Sequence, residues 1–214
     1  MNVLVLYAHP EPTSFCGALK EAAVETITAA GHRCVVSDLY AEGFDPVAGR
    51  HDFVSVANAA RFHYQSEQAH AHAQGGFADD VAREQRRFAE ADLVIVIFPL
   101  WWSGVPAIVK GWFERVLAFG FAYVDGARFD TGFFPDKRGL VCVTTGGTPE
   151  RFSDGGVYGP IGTILAPVQR YVFGYLGMSA LAPFVAYAAP RVDDAARAAY
   201  LATWRARLVE ALAG

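Results

Sequence analysis

Leu93-Val94-Ile95-Val96-Ile97-Phe98-Pro99-Leu100-Trp101-Trp102-Ser103-Gly104-Val105-Pro106 decides how the rest of the chain is read. Its first part is a run of apolar, largely β-branched residues, the pattern of a strand buried on both faces. The run ends at Phe98-Pro99, two tryptophans follow in a turn, and Pro106 is expected to open a helix from its first position. A large aromatic exposed in a turn costs solvation free energy unless something flat covers it. At the carboxyl end of a buried strand that cover is most often a ligand. A planar, redox-active ring is the first expectation.

Outward from this stretch, strand and helix patterns alternate. Strands are expected at 2–8, 33–38, 92–98, 139–145 and 180–188, and helices at 15–30, 78–90, 106–118 and 160–176. Residues 40–76 read as irregular, with a turn at Phe44-Asp45-Pro46 and a histidine-containing polar stretch, as in a functional loop or an interface. In the last helix, Tyr200, Leu201, Trp204, Leu208, Ala211 and Leu212 share a face. Five strands with intervening helices imply an α/β fold with a doubly wound parallel sheet. The flavodoxin-like order 2-1-3-4-5 is favoured over the six-stranded dinucleotide-binding order. With no repeat and no linker, residues 1–214 read as one domain.

Composition narrows the function. The chain is 53% hydrophobic and 19% charged, with a net charge of -4, which gives no electrostatic footprint for nucleic acid or an anionic membrane. No apolar run has the length of a membrane span, and the sequence enters a strand at Val3 without a basic leader, so a cytoplasmic address is expected. The three cysteines have no metal-type spacing. Cys34 and Cys142 read as small buried hydrophobes. Cys16, in the first turn of a helix, is where a thiol pKa could be lowered, although no general base is visible near it. His70 and His72 lack a third ligand and read as solvated, so no metal is expected. Asp45 and Asp52 read as surface charges, and Glu114 and Arg115 as an ion pair or a helix-end contact.

Ligands of this fold bind outside the carboxyl ends of the first, third and fourth strands. After the first come His9 to Phe15, with Thr13 and Ser14 as helix caps over an anion-binding first turn. After the third come Leu100 to Gly104, and after the fourth Thr144-Thr145-Gly146-Gly147-Thr148. Read alone, the first is ordinary capping and the last an ordinary turn. Together they suit a flavin: hydroxyls and amides for phosphate, an aromatic wall, and donors for the pyrimidine edge. G-x-G-x-x-G, a Walker lysine and G-x-S-x-G are all missing, which counts against a resident nicotinamide dinucleotide, a nucleoside triphosphate and a hydrolase.

These residues resemble a family, the flavin-dependent NAD(P)H:quinone oxidoreductases of the DT-diaphorase type. The resemblance spans nearly the whole chain. It is carried by Ala8-His9-Pro10 with Thr13-Ser14-Phe15, Ser37-Asp38-Leu39-Tyr40 before Phe44-Asp45-Pro46, and Ala91-Asp92-Leu93-Val94. Further blocks are Phe98-Pro99-Leu100-x-Trp102, Gly104-Val105-Pro106-Ala107-Ile108, Lys110 to Val116, Phe121-Ala122-Tyr123 and Thr144-Thr145-Gly146-Gly147. The resemblance implies a homodimer with a flavin, usually FAD with FMN possible, at the subunit interface. NAD(P)H and a quinone or similar acceptor would use one pocket in turn, by two-electron ping-pong hydride transfer.

Carried over by position, His9, Thr13, Ser14, Phe15 and Cys16 would line the pyrophosphate and adenosine part. Pro99, Leu100, Trp101, Trp102 and Ser103, with Thr144, Thr145, Gly146 and Gly147, would hold the ring. Trp102 would pack at the ring, Ala122 and Tyr123 would approach the substrate, and Tyr175 would enter the partner's pocket. Arg197 falls where an arginine contacts FAD. The chain departs from the animal enzymes at Phe152 and Tyr158, which replace a flavin-edge tyrosine and histidine, and at Cys16, Trp101, Ser103 and Asp125. Their long C-terminal extension has no counterpart in this sequence. Gly146 and Gly147 amides with the Tyr158 hydroxyl are the expected catalytic donors, stabilising charge on the ring as an oxyanion hole does. Two other readings share the fold: an electron carrier, and a regulatory flavoprotein on a membrane transporter.

Overall fold

A computed structural model describes residues 1–213. Its parallel sheet contains β1 (Asn2–Tyr7), β2 (Arg33–Asp38), β3 (Leu93–Pro99), β4 (Arg138–Thr144), β5 (Ser179–Ala180) and β6 (Phe184–Ala186), in the order β2-β1-β3-β4-β5, with β6 also on β4. The helices are α1 (Phe15–Ala29), α2 (Tyr64–Gln74), α3 (Asp79–Glu90), α4 (Ala107–Val116), α5 (Ile161–Val168) and α6 (Asp194–Ala213). The expected order 2-1-3-4-5 is the one observed.

Side chains alternate across the pleat, and each strand feeds two cores. Val3, Val5 and Tyr7 of β1, with Leu93, Ile95 and Ile97 of β3, face α1 and α6. Leu4 and Leu6, with Val94, Val96 and Phe98, face the layer that includes α4 and α5. Trp204 on α6 is fully buried and donates its indole N–H to the Leu19 carbonyl of α1, 2.9 Å away. The expected apolar face of the last helix is therefore the one that docks, with Tyr200 and Leu201 at its edge.

Four expectations need correction. The last strand is not continuous over 180–188: Pro183 has no N–H to donate, and the strand divides into β5 and β6. Pro106 is the N-cap of α4, with extended backbone, and Ala107 is its first helical residue. Residues 40–76 contain α2, a helix without an apolar stripe. It docks largely through polar groups: Glu67 accepts from the Ala57 and Asn58 amides, and Gln68 bridges Glu114 O and the Phe119 amide, with Ala71 its buried apolar contact.

The fourth concerns Asp52, which is not a surface charge. It is 1% exposed and accepts from Arg115 Nε at 2.7 Å, from the Tyr64 hydroxyl at 2.5 Å and from the Gly49 amide at 3.0 Å. Arg115, equally buried, also meets Asp80 at 2.8 Å and the Asp45 carbonyl at 2.6 Å. Its partners are thus Asp52 and Asp80, while Glu114 pairs with Lys110. This network pins the 44–64 segment and the start of α2 to α4. No helix of the described chain is long and apolar enough to cross a membrane.

Candidate active site

The carboxyl ends of β1, β3 and β4 lie side by side. Tyr7 pairs with Ile97 and Pro99 with Thr144, and the pairing runs on through Ala8 N–H to Ile97 O (3.0 Å) and Leu100 N–H to Thr144 O (2.8 Å). The three expected loops therefore leave the sheet together. His9 and Trp101 have ring centroids 6.1 Å apart, and Cys16 Sγ lies 3.2 Å from Thr144 Oγ1. Residues from all three loops meet at one edge.

The tryptophan turn is the most unusual part. Trp101 and Gly104 exchange backbone hydrogen bonds at 3.1 and 3.0 Å, leaving Trp102 and Ser103 at the tip with φ of +50° and +55°. Both central residues at positive φ make a type I′ turn, which normally selects Asn-Gly. Each non-glycine residue held there costs roughly 1–2 kcal/mol. The Trp102 side chain is nevertheless fully exposed. Strain combined with an uncovered indole makes this turn the candidate ligand surface, since packing does not account for it.

In the loop after β1, Ser14 caps α1 through the Gly17 amide (3.1 Å). The Phe15 and Cys16 amides belong to the first turn, where N–H groups have no intrahelical partner. The Thr13 hydroxyl and amide both donate to Glu11, whose carboxyl they hold below its ordinary range. His9 Nδ1 lies 3.0 Å from the Glu11 amide and 3.1 Å from the Glu11 carbonyl, which fixes the ring over the loop. In the loop after β4, Thr145 is buried and fastened by its amide to Ala186 O and by its hydroxyl to Gly147 O. Among the described residues, the amides of Trp102, Ser103, Gly146 and Gly147 find no acceptor. Phe152 packs beneath this loop against Tyr158 and Tyr187, with centroids at 5.0 and 5.9 Å, and Tyr158 itself is 47% exposed.

An uncovered aromatic wall beside a row of unpaired amides fits a flat, polar-edged ring such as a flavin. Among the described residues, no group of three or more His, Cys, Asp or Glu side chains is placed to hold a metal ion.

Cys16 departs from expectation. Burial pushes its thiol up to about 11, because the low-dielectric core penalises a thiolate more than the hydrogen bond to Thr144 favours it. The folded protein therefore holds this proton where the unfolded chain releases it. Stability is insensitive to the group below about pH 9 and falls as pH rises from about 9 to about 11. Denaturation curves of the wild type and Cys16→Ala across that range should diverge by about 2 kcal/mol, with the wild type losing more. Curves that stay parallel contradict a buried thiol. Cys142 is fully buried as expected, whereas Cys34 is half-buried.

Other expected residues lie elsewhere. Ala122 is buried in the core, and Arg197 binds Asp194 at 2.7 Å and the Ala189 carbonyl at 3.3 Å. Tyr123 and Tyr175 stack edge to face, with centroids 5.8 Å apart, in a groove of about 1230 Å³ that begins at Gly104. Phe98, Val105, Phe113 and Leu165 are among its apolar walls, and Tyr64 and Gln65 of α2 reach it. The contribution of α2 was missed because its polar sequence carries no amphipathic signal.

A parallel sheet in this order, with ligand-type loops at its carboxyl edge, defines a flavodoxin-like protein. Residues 1–208 match the family described as having the flavodoxin-like fold, and the chain belongs to it. It is 41% identical to NAD(P)H dehydrogenase [quinone] 1 of Cavia porcellus over 97% of this chain and 76% of that protein. It is 42% identical to ribosyldihydronicotinamide dehydrogenase [quinone] of Pongo abelii, over 97% and 90% of the two chains. A Klebsiella pneumoniae structure provisionally described as a quinone reductase superposes with a TM-score of 0.93 at 39% identity, covering 97% of this chain and 83% of that one. NAD(P)H:quinone oxidoreductase from Methanothermobacter marburgensis gives 0.77 at 28% identity, covering 97% of each.

Proposed function

We propose that this protein is a flavin-dependent NAD(P)H:quinone oxidoreductase, acting as one domain and passing two electrons as a hydride from NAD(P)H through FAD to quinones. The observation that carries the reading is the strained, uncovered Trp102 turn beside the unpaired Gly146 and Gly147 amides. The names of the relatives support the same chemistry over an electron carrier or a transporter subunit.

A bound flavin would supply the hydride chemistry, and the protein positions it and excludes water. The Phe15 and Cys16 amides, the Ser14 hydroxyl and His9 would bind phosphate oxygens at the α1 end, whereas both Thr13 donors are held by Glu11. The segment from Pro99 to Ser103, with the Trp102 indole, and that from Thr144 to Gly147 would hold the ring, and Phe152 supports the second loop from beneath. Gly146 and Gly147 donate backbone N–H bonds where negative charge develops. Tyr123 and Tyr175 orient the acceptor, with Ala122 fixing the backbone that carries Tyr123. Arg197 secures the turn beside the adenosine end. A homodimer places Tyr175 in the partner's site, a reading supported by the exposed Tyr171 and the apolar groove beside it. The reductant and acceptor would be met in the cytoplasm.

Tyr158 donates its hydroxyl to the same developing charge. Its ring is half exposed and its hydroxyl makes no hydrogen bond among the described residues, so it is available. Tyr158→Phe is expected to slow flavin reduction about tenfold, less than a fully buried donor would. An unchanged stopped-flow rate removes Tyr158 from the mechanism.

The overall reading is tested by following NADH and NADPH oxidation with a simple naphthoquinone, after the cofactor has been identified by mass. Parallel double-reciprocal lines are expected. Converging lines contradict the shared-pocket, ping-pong part, and no acceptor-dependent oxidation contradicts the whole.

A further inference from the structure

After β6 the chain makes a tight turn, with Ala188 at φ +49°, and is clamped to the loop that follows β4. Ala188 N–H donates to Gly147 O at 2.8 Å, and Ala189 N–H to Thr145 O at 3.0 Å. From α6, Arg197 Nε reaches the Ala189 carbonyl at 3.3 Å. This bracing brings Arg191 onto the loop: a β-carbon built on Gly146 would lie 3.3 Å from its Nη1. On the next residue, a β-carbon built on Gly147 would lie 3.5 Å from Arg151 Cδ.

Both arginines are solvent-exposed, and neither has a carboxylate within 4.0 Å among the described residues. Three of the acids nearby in sequence are engaged elsewhere. Asp194 binds Arg197, Asp193 caps the Ala196 amide at 2.8 Å, and hydrogen bonds to Glu150 hold its carboxyl below the ordinary range. Two unpaired guanidinium groups therefore flank the glycine pair at the rim of the site. Guanidinium forks are the chemistry that recognises oxyanions.

We propose that Arg191, assisted by Arg151, is a specificity-determining residue that favours ligands carrying an anionic group. That group would be a phosphate on the reduced dinucleotide or a sulfonate on the acceptor. The assignment rests on the reductase reading for its substrates. An exposed arginine at the rim of the loop adds affinity without touching the transferred hydride, so it acts on KM and not on kcat. One charge-assisted contact of this kind corresponds to roughly tenfold in affinity.

The test uses the purified full chain and two variants, Arg191→Gln and Arg191→Lys. Steady-state KM values are measured for NADPH against NADH with a neutral naphthoquinone, and for a sulfonated against a neutral naphthoquinone with NADH. The expected result is a rise of roughly tenfold in KM for the anion-bearing member of one pair in Arg191→Gln. Its neutral or less charged counterpart and kcat should not change, and Arg191→Lys should show partial recovery. A change in the first pair assigns the anion to the dinucleotide phosphate, and a change in the second assigns it to the acceptor. Equal shifts within both pairs, or none, overturn the proposal. Titration of tryptophan fluorescence with NADP⁺ and the naphthalene sulfonate, each against its less charged counterpart, decides the matter without turnover. Loss of the charged ligand's advantage in Arg191→Gln supports the proposal even where the reductase assay fails. Identical affinities in wild type and variant overturn it even where that assay succeeds.

Discussion

Replacing Asp52 with alanine is expected to cost about 3–5 kcal/mol of folding free energy. Arg115 would then remain buried against Asp80 and the Asp45 carbonyl alone, and the Tyr64 hydroxyl and Gly49 amide would lose their acceptor. The residual Asp80 pair places the expected value near the lower end of that range. Glu25→Ala is the comparison: it breaks the Arg205–Glu25 pair, whose side chains are 44% and 66% exposed, and should cost at most about 1 kcal/mol. Urea denaturation monitored by tryptophan fluorescence measures both. Equal, small losses would mean that the Asp52–Arg115 network does not hold the 44–64 segment. The functional consequence follows from Tyr64 and Gln65, which line the groove at the start of α2.

Gly111→Ala is the second large effect, and its sign opposes helix propensity. Within α4, alanine in place of glycine favours the helix by about 1 kcal/mol. A β-carbon at position 111, however, would lie 2.1 Å from the Pro46 carbonyl oxygen and 2.5 Å from Pro46 Cα. Both are backbone atoms of a segment fixed by the Arg115–Asp45 contact, so the clash has no cheap relief. Overpacking of this kind costs about 1–3 kcal/mol and sometimes more, and a net loss of about 2 kcal/mol is expected. Gly162→Ala in α5, where the new β-carbon meets nothing within 4 Å, should be neutral or slightly stabilising. A Gly111→Ala protein with a raised denaturation midpoint contradicts the close approach of α4 to the Pro46 turn.

The central strands were legible because both faces of β1, β3 and β4 are buried, which writes continuous apolar runs into the sequence. The broken last strand was less so, since Leu181-Ala182-Pro183 reads as a continuation until pairing partners are known. Helix α2 was not legible. Beside the small Ala71, its buried residues are Glu67 and Gln68, and only tertiary structure gives those side chains their amide and carbonyl partners. Asp52 was misread for the same reason, its cation lying 63 residues away. At the site, the sequence identified the three loops and their residue types. It did not disclose the type I′ geometry at Trp102-Ser103, because neither residue is a normal signal for that turn. Nor could local position reveal the raised Cys16 thiol, since the opposing effect comes from burial.

We propose that the loops after β1, β3 and β4 bind a flavin that takes electrons from NAD(P)H and gives them to a quinone. Anaerobic double-mixing stopped flow addresses it most directly. NAD(P)H alone should bleach the bound flavin in the first mix, and a naphthoquinone added after the reductant is consumed should restore its absorbance. A protein that retains no flavin, or whose flavin NAD(P)H leaves oxidised, contradicts the account.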